Sequence, residues 1–152
     1  MCGIVGFVSF FDEKNAPSPD LLRGILKHRG PDRFAHTQLG PCTLWHFRLS
    51  VIDPTDGGNQ PISTPCGRYT LIFNGEIYNY KTLKKQYDLP CIGESDSEVV
   101  LLLFNSLGVD SLALLEGMFS LAIWDAQNKE LTLARDRIGI KPLYYSLVNS
   151  VG

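Results

Sequence analysis

The sequence is poor in the features that would mark a metal centre, a secreted scaffold or a nucleic-acid binder. Four cysteines, Cys2, Cys42, Cys66 and Cys91, are widely spaced and form no C-x-x-C pair. The histidines His28, His36 and His46 lack metal-ligand spacing, so no metal is implied. No block of one charge exists. The 14 Lys and Arg against 16 Asp and Glu leave a formal charge of −2, which recruits neither nucleic acid nor a membrane surface. The apolar run Ile4 to Phe11 has no basic leader and no cleavage site, and it is too short to span a bilayer. Without a secretory signal the thiols are expected to stay reduced in a cytoplasmic compartment. Repeats, low-complexity tracts and linkers are missing. So is any P-loop or Ser-Gly-Gly phosphate motif, which leaves ATP or Mg²⁺ chemistry without residues to rest on.

What is present fits one domain, residues 1–152, with 44% hydrophobic residues and enough length for a sizeable core. Ile4 to Phe10 reads as a first strand, buried on all sides. Ser18-Pro19 starts a helix whose face is Leu21, Leu22, Ile25 and Leu26, and Gly30-Pro31 stops it. Cys42 to Ser50 is β-favouring, with Val51-Ile52 extending it. Arg68 to Phe73 alternates like a half-buried strand and runs into Asn74-Gly75-Glu76, a turn signal. Asn79 caps a short helix to Tyr87. Ser95-Asp96-Ser97-Glu98 is a capping box before an apolar helix over Val99 to Leu107. Asp110 starts another short helix. Three β segments follow, Met118 to Trp124, Glu130 to Ala134 and Pro142 to Tyr145, with a hairpin turn over Asp125 to Lys129. Strands in adjacent runs without regular crossover helices predict an α+β fold of antiparallel sheets covered by helices.

The N-terminus carries the chemistry. Met1 precedes a residue small enough for its removal, which would leave Cys2 with both a thiol and a free α-amine. These titrate at about 8.5 and about 8, where a nucleophile and a general base work at neutral pH. A lone cysteine is otherwise a small buried hydrophobe. Acyl transfer would need N–H donors for the developing oxyanion, and Asn74 with Gly75 offers them; a plain hairpin turn explains the same pair. An amino-acid substrate would need a cation for its carboxylate and an anion for its ammonium. Arg48 suits the first and Asp96 the second, although an ion-paired strand end and a helix first-turn carboxylate explain them as well. Arg135, Asp136, Arg137 and Lys141 read as a surface turn with an internal ion pair. His28 to Asp32 reads as a helix exit.

Taken in order, MCGIVG (1–6), HRGPD (28–32), RLSVID (48–53), NGEIYN (74–79), ESDSE (94–98) and RDRIGIKPLYY (135–145) resemble the class II glutamine amidotransferase domain, an N-terminal-nucleophile hydrolase. The likeness is to its asparagine-synthetase branch, glutamine-hydrolysing. The resemblance implies a four-layer α/β/β/α sandwich of two stacked antiparallel sheets between helical layers. It implies that Cys2 attacks the glutamine side-chain amide. Thioester formation would release ammonia, and water would release glutamate. Asn74 and Gly75 would form the oxyanion hole. Arg48, with Leu49, Ser50, Val51 and Ile52, would hold the substrate carboxylate, and Glu76 with Asp96 the ammonium. It implies no cofactor in this domain, since ATP and Mg²⁺ belong to a synthetase domain of which this chain, ending just after PLYYS, holds nothing. That domain or a separate subunit would be the partner that accepts the ammonia; self-association is left open.

Two other readings compete. One is a catalytically silent relative serving as a docking or regulatory module, against which the joint presence of Cys2, Arg48, Asn74, Gly75 and Asp96 argues. The other is a glutaminase that feeds an acceptor other than aspartate.

Overall fold

The alternation of side chains along the strands decides how the layers stack. A computed structural model of the chain describes residues 2–10, 16–51 and 55–147. Its elements are β1 (Gly3–Val8), α1 (Pro19–Leu26), β2 (Arg33–Leu39), β3 (Cys42–Arg48), β4 (Ile62–Ser63), β5 (Tyr69–Ile77), α2 (Tyr80–Gln86), α3 (Asp96–Leu107), β6 (Gly117–Asp125) and β7 (Glu130–Arg135). All pairings are antiparallel. They build one sheet in the order β1-β3-β2 and a second in the order β4-β5-β6-β7.

β3 is buried at every position because both of its faces are covered. Cys42 and Leu44 meet Ile72 of β5 and Ala122 and Trp124 of β6 between the sheets. Trp45 and Phe47 turn the other way onto Leu22 and Leu26 of α1. On β5, Leu71, Phe73 and Ile77 face outward onto Leu83 of α2 and Val99, Val100, Leu103 and Phe104 of α3. The result is the expected sandwich, with α1 over the first sheet and α2 and α3 over the second. Ser18 opens α1 by accepting the Leu21 amide at 3.2 Å, with Pro19 in the first turn. α3 runs on through a 3-10 helix, Gly108–Leu114, which is the short helix expected around Asp110 and starts two residues earlier.

Several expectations are corrected. Asn74-Gly75-Glu76 is not a turn: β5 continues through it and pairs with β6 as far as Ile77 opposite Gly117. Glycine serves there for close approach, since a Cβ on Gly75 would strike the Met118 carbonyl and one on Gly117 the Glu76 carbonyl. β1 is an edge strand, half buried rather than enclosed, because β3 takes the centre of its sheet. β2 was not expected, since its mixed sequence RFAHTQL lacks an apolar run; pairing along β3 makes it a strand. Pro142 to Tyr145 forms no strand, and Tyr144 and Tyr145 are exposed. The Asn79 side chain does not cap α2. It donates to the Leu114 carbonyl at 2.9 Å and accepts from the Glu116 amide at 3.1 Å. The capping box is half formed: Ser95 Oγ accepts the Ser97 amide at 3.2 Å, but Glu98 accepts from Ile92 and Gly93, both at 2.8 Å.

Candidate active site

The face of the first sheet that meets the second carries Ile4 opposite His46. Two residues earlier, just before β1, comes Cys2, beside the end of β3 where Arg48 sits. The Leu49 amide donates to Cys2 Sγ at 3.3 Å, the thiol faces the Leu49 carbonyl at 3.6 Å, and Arg29 Nη2 donates to the Cys2 carbonyl at 3.4 Å. Sulfur and backbone are both held. The thiol opens onto a cavity of ≈ 190 Å³. Arg48, Leu49, Val51, Asn74, Gly75, Glu76 and Asp96 line it with Cys2. Ser50 does not line it; its amide donates to Asp32 Oδ2 at 2.8 Å. Ile52 lies outside the described residues.

HRGPD is more than a helix exit. A Cβ on Gly30 would strike the Phe47 carbonyl and the Arg48 nitrogen, so glycine lets the chain press backbone to backbone on the end of β3. The Asp32 amide then donates to the Arg48 carbonyl at 3.1 Å. With its main chain braced, Arg48 is 7% exposed and donates from Nη1 to the Thr55 carbonyl at 2.8 Å and Asn59 Oδ1 at 2.6 Å.

The alternation of β5 explains the position of the N–H donors. Its even residues bond across to β6, so its odd residues direct N–H and C=O to the other edge. There β4 covers only Thr70 and Leu71. Beyond it the edge is closed by side chains. The Phe73 N–H donates to Gln60 Oε1 at 2.6 Å, the Phe73 carbonyl bonds His46 Nε2 at 3.2 Å, and the Ile77 N–H donates to Asp96 Oδ2 at 3.0 Å. Gly75 lies between them. Its N–H faces the cavity with no acceptor among the described residues, and the neighbouring Asn74 amide, 5% exposed, has no side-chain partner among them either. Two N–H donors are thus left for whatever enters.

Electrostatics sort the remaining groups. Asp96 is the first residue of α3. Burial pushes its pKa up to about 6; the Ile77 and Ser97 amides oppose this, and the charge of Glu76 adds to it. Burial lowers His46 to about 4, so its imidazole is neutral at pH 7. Burial also pushes the Cys42 thiol, between the sheets, up to about 12, which leaves it inert beside Cys2. The charged cluster at 135–141 is a surface turn only in part: Arg135 and Arg137 are exposed, but Asp136 and Lys141 are buried. Asp136 is 3% exposed and accepts amides from Phe119, Ile140 and Lys141 at 3.2, 2.8 and 2.9 Å, and Lys141, 4% exposed, lines the cavity. Among the described residues no group of His, Cys, Asp and Glu is arranged to hold a metal ion.

Sequence reasoning missed Gln60, His46, Met118 and Lys141, which also line the cavity. Gln60 stands in a loop without periodicity, and His46 offered only its inward parity on β3. Together the thiol, two N–H donors, a guanidinium and two carboxylates suit an amino acid presenting an acyl group to sulfur.

An asparagine synthetase [glutamine-hydrolyzing] of Asparagus officinalis is 39% identical over 95% of this chain and 25% of its own length. Amidase chyE of Penicillium rubens is 34% identical over 97% of this chain and 24% of its own. The chain spans about a quarter to a third of the length of the curated relatives it matches. The glutamine phosphoribosylpyrophosphate amidotransferase of B. subtilis, solved with ADP and GMP, shares the fold. Its TM-score is 0.51 and its identity 24%, over 64% of this chain and 23% of that one. The family model for the glutamine amidotransferase domain matches residues 1–151, and the chain belongs to that family.

Proposed function

We propose that this domain hydrolyses L-glutamine to L-glutamate and ammonia. Once Met1 is removed, the Cys2 α-amine takes the thiol proton and Sγ attacks the side-chain amide carbon. The oxyanion that forms accepts from Asn74 Nδ2 and the Gly75 N–H. Collapse breaks the C–N bond, the proton passes to the leaving nitrogen, and ammonia departs from a thioester. Water then adds to the thioester carbon, and loss of the thiolate yields the new carboxylate and regenerates Cys2. Arg48, with the backbone at Leu49 to Ile52, takes the α-carboxylate, and Glu76 and Asp96 take the α-ammonium. The domain needs no cofactor for this; ATP and Mg²⁺ would serve the acceptor reaction elsewhere. The reading is carried by one observation: Cys2, the Asn74 amide and the Gly75 N–H, both donors without a partner among the described residues, share a cavity with Arg48 and Asp96.

The ammonia is proposed to feed asparagine synthesis in a synthetase domain or subunit, on the strength of relatives named for that reaction. Relatives named as amidases match to a similar degree, which keeps a different acceptor as the second reading. Glutamate release from glutamine, with intact mass taken on the parent and on Cys2→Ala, is the test. Activity in a chain lacking Met1 that vanishes in the variant is expected. Turnover that survives in Cys2→Ala excludes Cys2 as nucleophile, and a trimmed but inactive chain favours a silent docking module.

A further inference from the structure

Beyond Leu71 the fifth strand has a neighbour on one side only, because β4 begins at Ile62, opposite Leu71. A strand held along one edge can rock about that edge, yet Asn74 and Gly75 must meet a tetrahedral oxygen within a few tenths of an ångström. Phe73, the residue just before them, is gripped on its open side at both peptide groups. Gln60 Oε1 accepts its N–H at 2.6 Å, and His46 Nε2 bonds its carbonyl at 3.2 Å. A carbonyl only accepts, so Nε2 carries the proton. The two side chains come from separate elements, the loop before β4 and the middle of β3, and are 7% and 1% exposed. Among the described residues neither side chain makes any other hydrogen bond. Both border the cavity that Cys2 also lines.

We infer that Gln60 and His46 are positioning residues, a two-sided grip on the Phe73 peptide that aims the Asn74 amide and the Gly75 N–H at the oxyanion. The inference rests on the proposed glutaminase reading and adds to it the groups that set the geometry of its donors. His46 hydrogen-bonds the second sheet to the first, whose edge strand β1 begins just after the nucleophile, so nucleophile and donors are referenced to one another across the sheets. Neither residue contacts the scissile amide in this scheme; each acts through Phe73.

The test compares Gln60→Met and His46→Leu, which remove the acceptor and the donor at nearly constant volume, with His46→Gln, whose Nε2 reaches the same place. Each is assayed with L-glutamine, with L-glutamate as a ground-state ligand, and with the aldehyde analogue of glutamine, which forms a tetrahedral adduct on a cysteine. Removing the grip should lower kcat by about 10- to 100-fold, the cost of misplacing a donor by about an ångström. KM and glutamate affinity should move by less than about threefold, since a donor made useful only in the transition state leaves ground-state binding alone. Aldehyde affinity should fall with kcat, alkylation of Cys2 by iodoacetamide should keep its rate, and His46→Gln should restore most of the loss. Unchanged kcat in both variants overturns the inference. So does a loss shared equally by kcat, glutamate affinity and alkylation, or a His46→Gln variant as poor as His46→Leu. A parent chain that neither releases glutamate nor binds the aldehyde overturns the glutaminase reading itself, and the grip with it.

Discussion

At Asp96 a carboxylate begins a helix, accepts an amide from the neighbouring strand and faces Glu76 across a cavity. Its pKa in the fold, about 6, lies above the ordinary 3.8. A group raised in this way contributes stability that is full below the unfolded value and lost as pH rises through the folded one. Asp96→Asn, which keeps an oxygen for the Ile77 amide, should therefore raise the thermal midpoint at pH 8 and leave it unchanged near pH 3.5. The gain at pH 8 should not exceed about 3 kcal/mol. The same variant should raise KM for glutamine, because the ammonium loses an anion. A midpoint that rises equally at both pH values would show that charge burial is not the cause. His46 behaves in the opposite sense. Its folded value of about 4 lies below the usual 6.5, so its contribution is present above pH 6.5 and lost as pH falls through 4. At this scale the sequence was informative: residue type alone suggested Cys2, Arg48, Asn74, Gly75 and Asp96, and the structure places all five around one cavity. Gln60 and His46 were not legible, because what they do depends on where β4 starts.

Among the elements, the segment 28–32 has the most influence for its length. Gly30 seats the chain against Phe47 and Arg48, so Gly30→Ala must push the two backbones apart. A loss of at least about 2 kcal/mol is expected, the scale of a strained backbone or overpacked contact. Glutamine KM should rise along with it, since Arg48 moves. Denaturant midpoints and steady-state kinetics on the same preparation check both; a stable variant with normal KM would remove the brace. In α3, Leu103 is fully buried against the second sheet, and Leu103→Ala should cost about 2 to 5 kcal/mol without altering the pH dependence of activity. Element boundaries were least legible where glycine could mean either turn or close contact. Asn74-Gly75 reads as a hairpin turn in sequence, yet it lies in a continuous ladder where Gly75 of β5 and Gly117 of β6 leave no room for a Cβ. The same limit hid β2, whose side chains are too polar to announce a strand that borrows its order from β3.

For the molecule as a whole, the proposed substrate bridges both sheets: Arg48 belongs to the first, and Asn74 and Gly75 to the second. Binding should therefore stabilise the entire sandwich rather than one loop. With Cys2→Ala to prevent turnover, glutamine at about 100 times its dissociation constant should add about 2.7 kcal/mol to unfolding. The corresponding rise in thermal midpoint should disappear in Cys2→Ala combined with Arg48→Ala. A rise that survives would place the carboxylate elsewhere. The layer order was legible through the family resemblance and through the apolar run Val99 to Phe104 of α3, which demanded cover on more than one side. Which strand lay at an edge was not, since Ile4 to Phe10 looks as apolar as a central strand.

The open side of β5 has a consequence beyond catalysis. A row of unpaired backbone groups is a template on which another extended chain can dock, and folded proteins block such rows. Here Gln60, His46 and Asp96 act as stoppers along the row, and Gly75, whose N–H has no stopper among the described residues, is where an oxyanion is expected to sit. Resistance to self-assembly and the proposed chemistry thus draw on the same side chains. Variants that lose a stopper should therefore be weighed by soluble yield as well as by turnover.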